Sequence, residues 1–297
     1  MKNILEININ VSNNYTMNYG KLNGWILCQK LGLPTFSTVY VVYDKIDLND
    51  KKIHQTFGSR TLVCRADAPF GKGNNLQRAK DVSIYNINDY LEKNKRKCVE
   101  AVILICDNPY NSKLKTIIPR YELDGGIVIL FENHFVTIEH VGKGFDPGDI
   151  THGKTVHNRI AIPKKIIYES TKEIYKYLKY VEPENIFHIS KDDYILSKKN
   201  RINELQTKLN LKNSKICSII PDEPGKIDTK LFNDIFTVCI NKVIYSDIKP
   251  DEPFSIIANI YNNYFSVFEI WQIERSMPSI PIEKYKYVSD IVFHKND

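Results

Sequence analysis

The chain has 297 residues, 42% hydrophobic and 11% aromatic, which excludes a disordered protein and leaves room for one large domain or two lobes. Lys+Arg of 41 against Asp+Glu of 35 gives a net charge of +6 with no dense basic block, which argues against a nucleic-acid partner and leaves a basic RNA-binding protein only as an alternative. No apolar run nears the length of a membrane span and MKNILEININ lacks the apolar core of a signal peptide, so a cytoplasmic protein with no membrane partner is expected.

Trp25 to Leu31 reads as a short helix stopped by Gly32, since glycine accepts the left-handed position after a helix. STVYVVY and TLVCRAD follow as strands rich in β-branched and aromatic residues. INDYLEKNKRK predicts a helix with Asn88 or Asp89 near its N-cap, and VEAVILICD a strand too continuously apolar to be exposed. GGIVILFE and FVTIEHV flank Asn133-His134 as a hairpin that feeds the glycine-rich GKGFDPGD, Gly142 to Asp149. THGKTVHNRIAIP continues as loop and short strand. Beyond Pro163 the pattern turns helical, with Ile166, Ile167, Ile174, Tyr177 and Leu178 at helical spacing. A second helical stretch takes Asp192 or Asp193 as cap and puts Ile202, Leu205 and Leu209 on one face. PFSIIANIYNN and YFSVFEIWQIER close the chain as a hairpin turning at Asn262-Asn263. Strands and helices are mixed throughout, which gives an α/β or α+β class. Six cysteines (Cys28, Cys64, Cys98, Cys106, Cys217 and Cys239) form no CxxC pair, and four lie in apolar runs, so buried free thiols in a reducing compartment are expected.

Three stretches carry residues suited to chemistry. In RADAPFGKGNN, Gly71 and Gly73 let backbone N–H groups turn inward around Lys72, and Arg65 and Arg78 add forked donors, a combination that suits phosphate oxygens. Neither GxxxxGK[ST] nor GxGxxG is present, and a glycine hairpin with a solvated lysine accounts for the turn equally well. In IEHVGKGFDPGD, Glu139 precedes Gly142 and Gly144, and Asp146 and Asp149 follow; these acids are either oxygen ligands for Mg²⁺ or the decoration of a surface turn. In VFEIWQIER, Glu269 sits in an apolar strand, where a carboxylate needs a metal or an arginine such as Arg275. His152 and His157 lie beside the second glycine loop, either as hydrogen-bonded histidines or, for one of them, as a general base.

These stretches resemble ATP-grasp proteins, and among them the nucleotide-binding domain of phosphoenolpyruvate synthases and pyruvate phosphate dikinases. KLGLPTFSTVYVV looks like the helix, Gly-hydrophobic-Pro and strand that begin the fold; LVCRADAPFGKGNN is similar in position to its phosphate strand and loop; VTIEHVGKGFDPGDITHGK is similar to its Glu, Gly-x-Gly and return strand. The resemblance covers most of Trp25 to Pro163 and the final hairpin. It implies a two-lobed ATP-grasp-like fold of mixed, mostly antiparallel sheets with helices. The lobes would be residues 1–97 and 98–297, the second with a helical insertion at about 164–212 and the terminal hairpin.

The resemblance further implies ATP and Mg²⁺ as cofactors. ATP would contact Arg65, Gly71, Lys72, Gly73, Asn74, Arg78, Glu139, Gly142 and Gly144, and the metal would contact Glu269, Gln272, Glu139 and Asp146, with Glu252 as an alternative ligand. Arg65, Lys72, Arg159 and His157 would be catalytic, and Arg120 and Arg159 would hold the acceptor's anionic group. The phosphohistidine and phosphoenolpyruvate-binding domains of the larger enzymes do not fit in this length, so the implied reaction is that of a ligase or phosphotransferase. It activates the carboxylate of a small-molecule or peptide acceptor, and a homodimer is one expected assembly. A non-catalytic nucleotide-binding regulatory module is the alternative.

Overall fold

The computed structural model describes residues 4–8, 20–58, 62–67, 78–95, 101–105, 120–169, 186–248, 252–262 and 264–272. The chain divides into two units, Met1–Ile118 with Phe268–Trp271, and Pro119–Val267 with Gln272–Asp297.

The first unit comprises β1 (Ile4–Asn8), α1 (Gly20–Lys30), β2 (Thr38–Val42), α2 (Lys51–Phe57), β3 (Leu62–Asp67), β4 (Arg78–Val82), α3 (Ile87–Lys95) and β5 (Ala101–Ile105). Its strands form an antiparallel sheet in the order β1-β2-β5-β3-β4. Both faces are covered. Val42, Cys64, Ala66, Val102 and Leu104 pack with Ile53 and Phe57 of α2 and Ile87 and Leu91 of α3. On the other face, Val39, Val41, Val63, Ile103 and Ile105 pack with Leu22, Trp25 and Ile26 of α1. Burial on two sides explains why TLVC and VILI are apolar at every position rather than at alternate ones. Asp67, at the end of β3, accepts from the backbone N–H groups of Lys21 (3.1 Å) and Leu22 (2.9 Å), so a carboxylate sits at the N-terminus of α1. Lys21 Nζ donates to Ala66 O at 2.6 Å and closes the same junction.

Neither Asn88 nor Asp89 caps the third helix. It grows out of a 3₁₀ turn, Ile84–Asn86, capped by Ser83. The Asn88 side chain instead grips the Ile46 backbone, accepting from its N–H and donating to its carbonyl, both at 3.0 Å. The first unit includes β5, the middle strand of its sheet.

The second unit comprises β6 (Gly125–Phe131), β7 (Phe135–Gly142), α4 (Pro147–Thr151), β8 (Asn158–Pro163), α5 (Lys164–Glu169), β9 (Ile186–His188), α6 (Lys191–Leu209), α7 (Asn213–Ile219), α8 (Thr229–Ile235), a π turn (Phe236–Ile240), α9 (Asn241–Ile244), β10 (Phe254–Tyr261) and β11 (Tyr264–Gln272) apart from its residues Phe268–Trp271. Its sheet runs β11-β10-β6-β7-β8-β9. The hairpin at Asn133-His134 is closed by Glu132 N donating to Phe135 O (3.0 Å). Register puts Ile127, Ile129, Phe131, Val136, Ile138, Ile160, Ile162, Phe254, Ile256 and Ala258 on one face, all buried, with the Phe131 and Phe254 rings stacked at 4.7 Å. The class is α+β.

The helical region differs from expectation in two ways: the strand β9 interrupts it, and α7 to α9 extend it to Ile244. Ile174, Tyr177 and Leu178, expected at helical spacing, lie outside the described residues. Ser190, not Asp192 or Asp193, caps α6: its Oγ accepts from Asp193 N (3.1 Å) and donates to Asp193 Oδ2 (2.6 Å). Tyr194, Arg201 and Leu205 are the buried residues of α6, whereas Leu209 is exposed. Cys28, Cys64 and Cys239 are free and buried and Cys217 is free and exposed; Cys98 and Cys106 lie outside the described residues. Burial pushes the Cys64 thiol up to about 12. No helix among the described residues is long and apolar enough to cross a membrane.

Candidate functional site

In the first unit, Arg65 sits half-buried on β3, with Arg78 opposite it in register on β4. Gly71, Lys72, Gly73 and Asn74 lie outside the described residues, in the connection that joins these two strands.

The second glycine loop is in the second unit, and its polar groups are committed to the protein itself. Gly142 N donates to His157 Nδ1 (2.9 Å), Gly144 N to Leu123 O (3.4 Å), Phe145 N to Gly142 O (3.1 Å), Asp146 N to Asp149 Oδ2 (3.0 Å) and Gly148 N to Asp146 Oδ1 (2.7 Å). Asp146 and Asp149 form a capping box at the start of α4. The amides of Gly142 and Gly144, where ATP contacts were expected, are thus engaged within the protein. Gly142 is required for another reason: a Cβ there would stand 2.7 Å from Gly225 Cα. Gly144 has φ +84° and would press on Ile220.

The acids near this loop are paired with cations. Buried Arg201 donates to Gly144 O (3.0 Å), Asp146 (3.4 Å) and Glu204 (3.1 Å) and lies 3.7 Å from Asp149. Burial opposes its charge, but Asp149, then Asp146 and Glu204, outweigh that and push its pKa up. Glu204 is held down to about 2: burial works against its charge, and the hydrogen bonds from Lys154 and Lys208 overcome it. Glu139 on β7 is opposite Arg159 on β8, and both are buried; Arg159 Nε donates to Glu139 Oε1 at 2.8 Å and Nη2 bonds the same oxygen. The Arg159 guanidinium also lies over the Phe187 ring, 5.4 Å from its centre. Glu252 is bonded to Lys164. Glu139 and Asp146 are thus neutralised by arginines rather than presented to a metal, and Arg159 carries its own carboxylate. Among the described residues no group of three or more His, Cys, Asp or Glu is placed to hold a metal ion. Glu269 and Gln272 stand on β11 and Arg120 begins a 3₁₀ turn; their side chains lie outside the described residues.

Glu139 and Arg159 belong to a polar face of the second sheet. Register adds Thr137 on β7 and Ser255, Ile257 and Asn259 on β10, around Val128 on β6. Ser255 Oγ and Asn259 Oδ1 are buried there without a hydrogen-bond partner. Sequence reading missed both: alternation within SIIANIY was the available signal, with small polar residues where the other face has Phe, Ile and Ala.

His157 is fully buried, its Nε2 has no partner, and its ring packs edge-on to Phe145 (4.7 Å) and Tyr194 (5.2 Å). Burial first, then His140 and His188, hold its pKa well below the usual value. His152 is the residue at the C-terminal end of α4, its Nδ1 donating to Gly148 O (2.5 Å). No family model, curated protein or solved structure matches the chain.

Proposed function

We propose that the chain binds ATP with Mg²⁺ and acts as a ligase or phosphotransferase of ATP-grasp type, activating the carboxylate of a small-molecule or peptide acceptor. The observation that carries this reading is Arg65 opposite Arg78 in the first unit, on the two strands joined by the connection that holds Lys72. An arginine side chain offers forked donors that suit phosphate oxygens and form charge-assisted hydrogen bonds with them. Arg65 would hold a phosphate and Lys72 the outer phosphates, neutralising charge on the group in transfer. Glu139 and Asp146 are engaged with arginines, so this reading keeps Glu269 as the metal-binding carboxylate. Buried free thiols at Cys28, Cys64 and Cys239 suit a reducing compartment and support a cytoplasmic location.

Thermal unfolding with and without Mg-ATP tests the reading. Occupancy at a hundred times the dissociation constant adds about 2.7 kcal/mol, and no shift at millimolar ATP removes the proposal. A second reading, a nucleotide-binding module without turnover, is favoured by the arginine partners of Glu139 and Asp146. Glu269→Gln discriminates the two: it abolishes ATP turnover in an enzyme, whereas a binding module shows no turnover to lose and keeps its thermal shift.

A further inference from the structure

The segment after α7, around Gly225, is held against the end of β7 by groups that function only when two histidines are uncharged. Gly142 and Gly225 touch backbone to backbone, so that a Cβ on either would stand 2.7 Å from the other's Cα. Asn158 Nδ2 donates to Gly225 O (2.7 Å) and to His140 Nδ1 (2.9 Å). An amide nitrogen only donates, so His140 Nδ1 accepts and its proton sits on Nε2. Asn158 Oδ1 in turn accepts from His188 Nδ1 (2.7 Å), which fixes the amide's orientation. His157 Nδ1 likewise accepts, from Gly142 N, at the other side of the glycine contact.

A proton on Nδ1 of His140 meets the Asn158 NH₂, and one on Nδ1 of His157 meets the Gly142 N–H. Turning the Asn158 amide to accept from His140 withdraws the donor from Gly225 O and points NH₂ at His188. His188 donates in either charge state, so its protonation breaks no bond.

We infer that the Gly225 segment is an acid-released strap, closed while His140 and His157 are neutral and freed when they take up protons. The inference is independent of the nucleotide reading. Other groups facing the cluster bias it modestly. On the strap, Lys226 opposes and Glu223 favours charge on His188. Asp222 is paired with Lys198 of α6 (2.7 Å), Tyr194 OH donates to Pro221 O (2.8 Å), and Lys143 of the 142–146 turn is exposed while Asp146 is bound to Arg201. Burial first holds His140 down to about 3, and holds His157 below its ordinary value, so open forms bind two protons that the closed form excludes.

Hydrogen exchange of the full chain between pH 7.5 and 5, corrected for intrinsic rates, tests this at residues 221–227 with β6 amides as the global reference. Below pH 6.5 the strap's opening constant rises about tenfold per pH unit for each histidine, hence about a hundredfold for two. At every pH it exceeds the opening constant of β6. His140→Asn and His157→Asn keep an acceptor near Nδ1 and remove the titration, so each lowers the dependence to about tenfold and the double variant flattens it. Gly225→Ala opens the strap at pH 7.5 without changing the slope. A pH-independent strap, exchange that coincides with β6, or a single variant that retains the full slope overturns the inference.

Discussion

Two arginine settings in the two units differ in kind. Arg201 and Arg159 each meet a buried carboxylate supplied by the chain, Asp146 with Asp149 and Glu204 in one case and Glu139 in the other. Arg65 stands on β3, in register with Arg78 on β4. In the second unit the fold itself supplies the anions that the buried arginines hold. The two glycine loops divide the same way: the one at Gly142 spends its amides on a helix cap, a turn and a histidine, whereas the one at Lys72 connects the opposed arginines.

Removing the internal partner should have the largest effect. Arg201→Ala leaves buried Asp146 without its cation and Asp149 with Lys154 alone, a loss of about 3–5 kcal/mol, measured by chemical denaturation; a change under about 0.5 kcal/mol would erase the contribution assigned to Arg201. Arg65→Ala is the counterpart. It should abolish the Mg-ATP stabilisation of about 2.7 kcal/mol expected at a hundred times the dissociation constant. Gly142→Ala should cost about 1–3 kcal/mol by overpacking against Gly225, and retain the Mg-ATP shift, since that loop is structural.

Acid separates the units too. His140 and His157 in the second are neutral when folded and titrate near 6.5 when unfolded, so the unfolded state binds more protons and stability rises with pH. Their contribution is complete above about pH 6.5 and falls below it at about 1.4 kcal/mol per pH unit for each group, for His140 until pH nears about 3; urea melts at pH 7 and 5 measure it. The smallest effect belongs to Lys143, exposed in the second loop: Lys143→Ala should move stability by less than about 0.5 kcal/mol and leave the Mg-ATP shift intact, whereas Lys72→Ala removes that shift.

Strands that alternate or run apolar were legible in the sequence because a sheet imposes its period on residues directly, and β2, β3 and β5 to β8 stand where read. The α+β class followed from them. Helix starts were less legible: Asn88 had the chemistry of a cap but spends it on Ile46, and Ser190 outcompetes Asp192 and Asp193 because it stands at the turn preceding the helix. The helices from Asn213 to Ile244 were not read at all. The π turn at Phe236–Ile240 breaks the 3.6-residue period there, and the segment carries little polar contrast. At the site, residue types were legible and partners were not. GKGFDPGD has the composition of an anion loop, but whether its acids face a metal or an arginine depends on Arg201, dozens of residues later and on another element.

The place of β5 in the first sheet has a consequence for how this protein is made. β5 is the last strand of that sheet in the described sequence, yet it lies between β2 and β3 and bonds to both. A nascent chain that has emerged only as far as β4 holds two separate strand pairs, β1-β2 and β3-β4, with the strand that joins them still to come. Cooperative closure of the sheet therefore waits for residues 101–105 to leave the ribosome, and a fragment ending before them presents two unprotected inner edges to any other chain nearby.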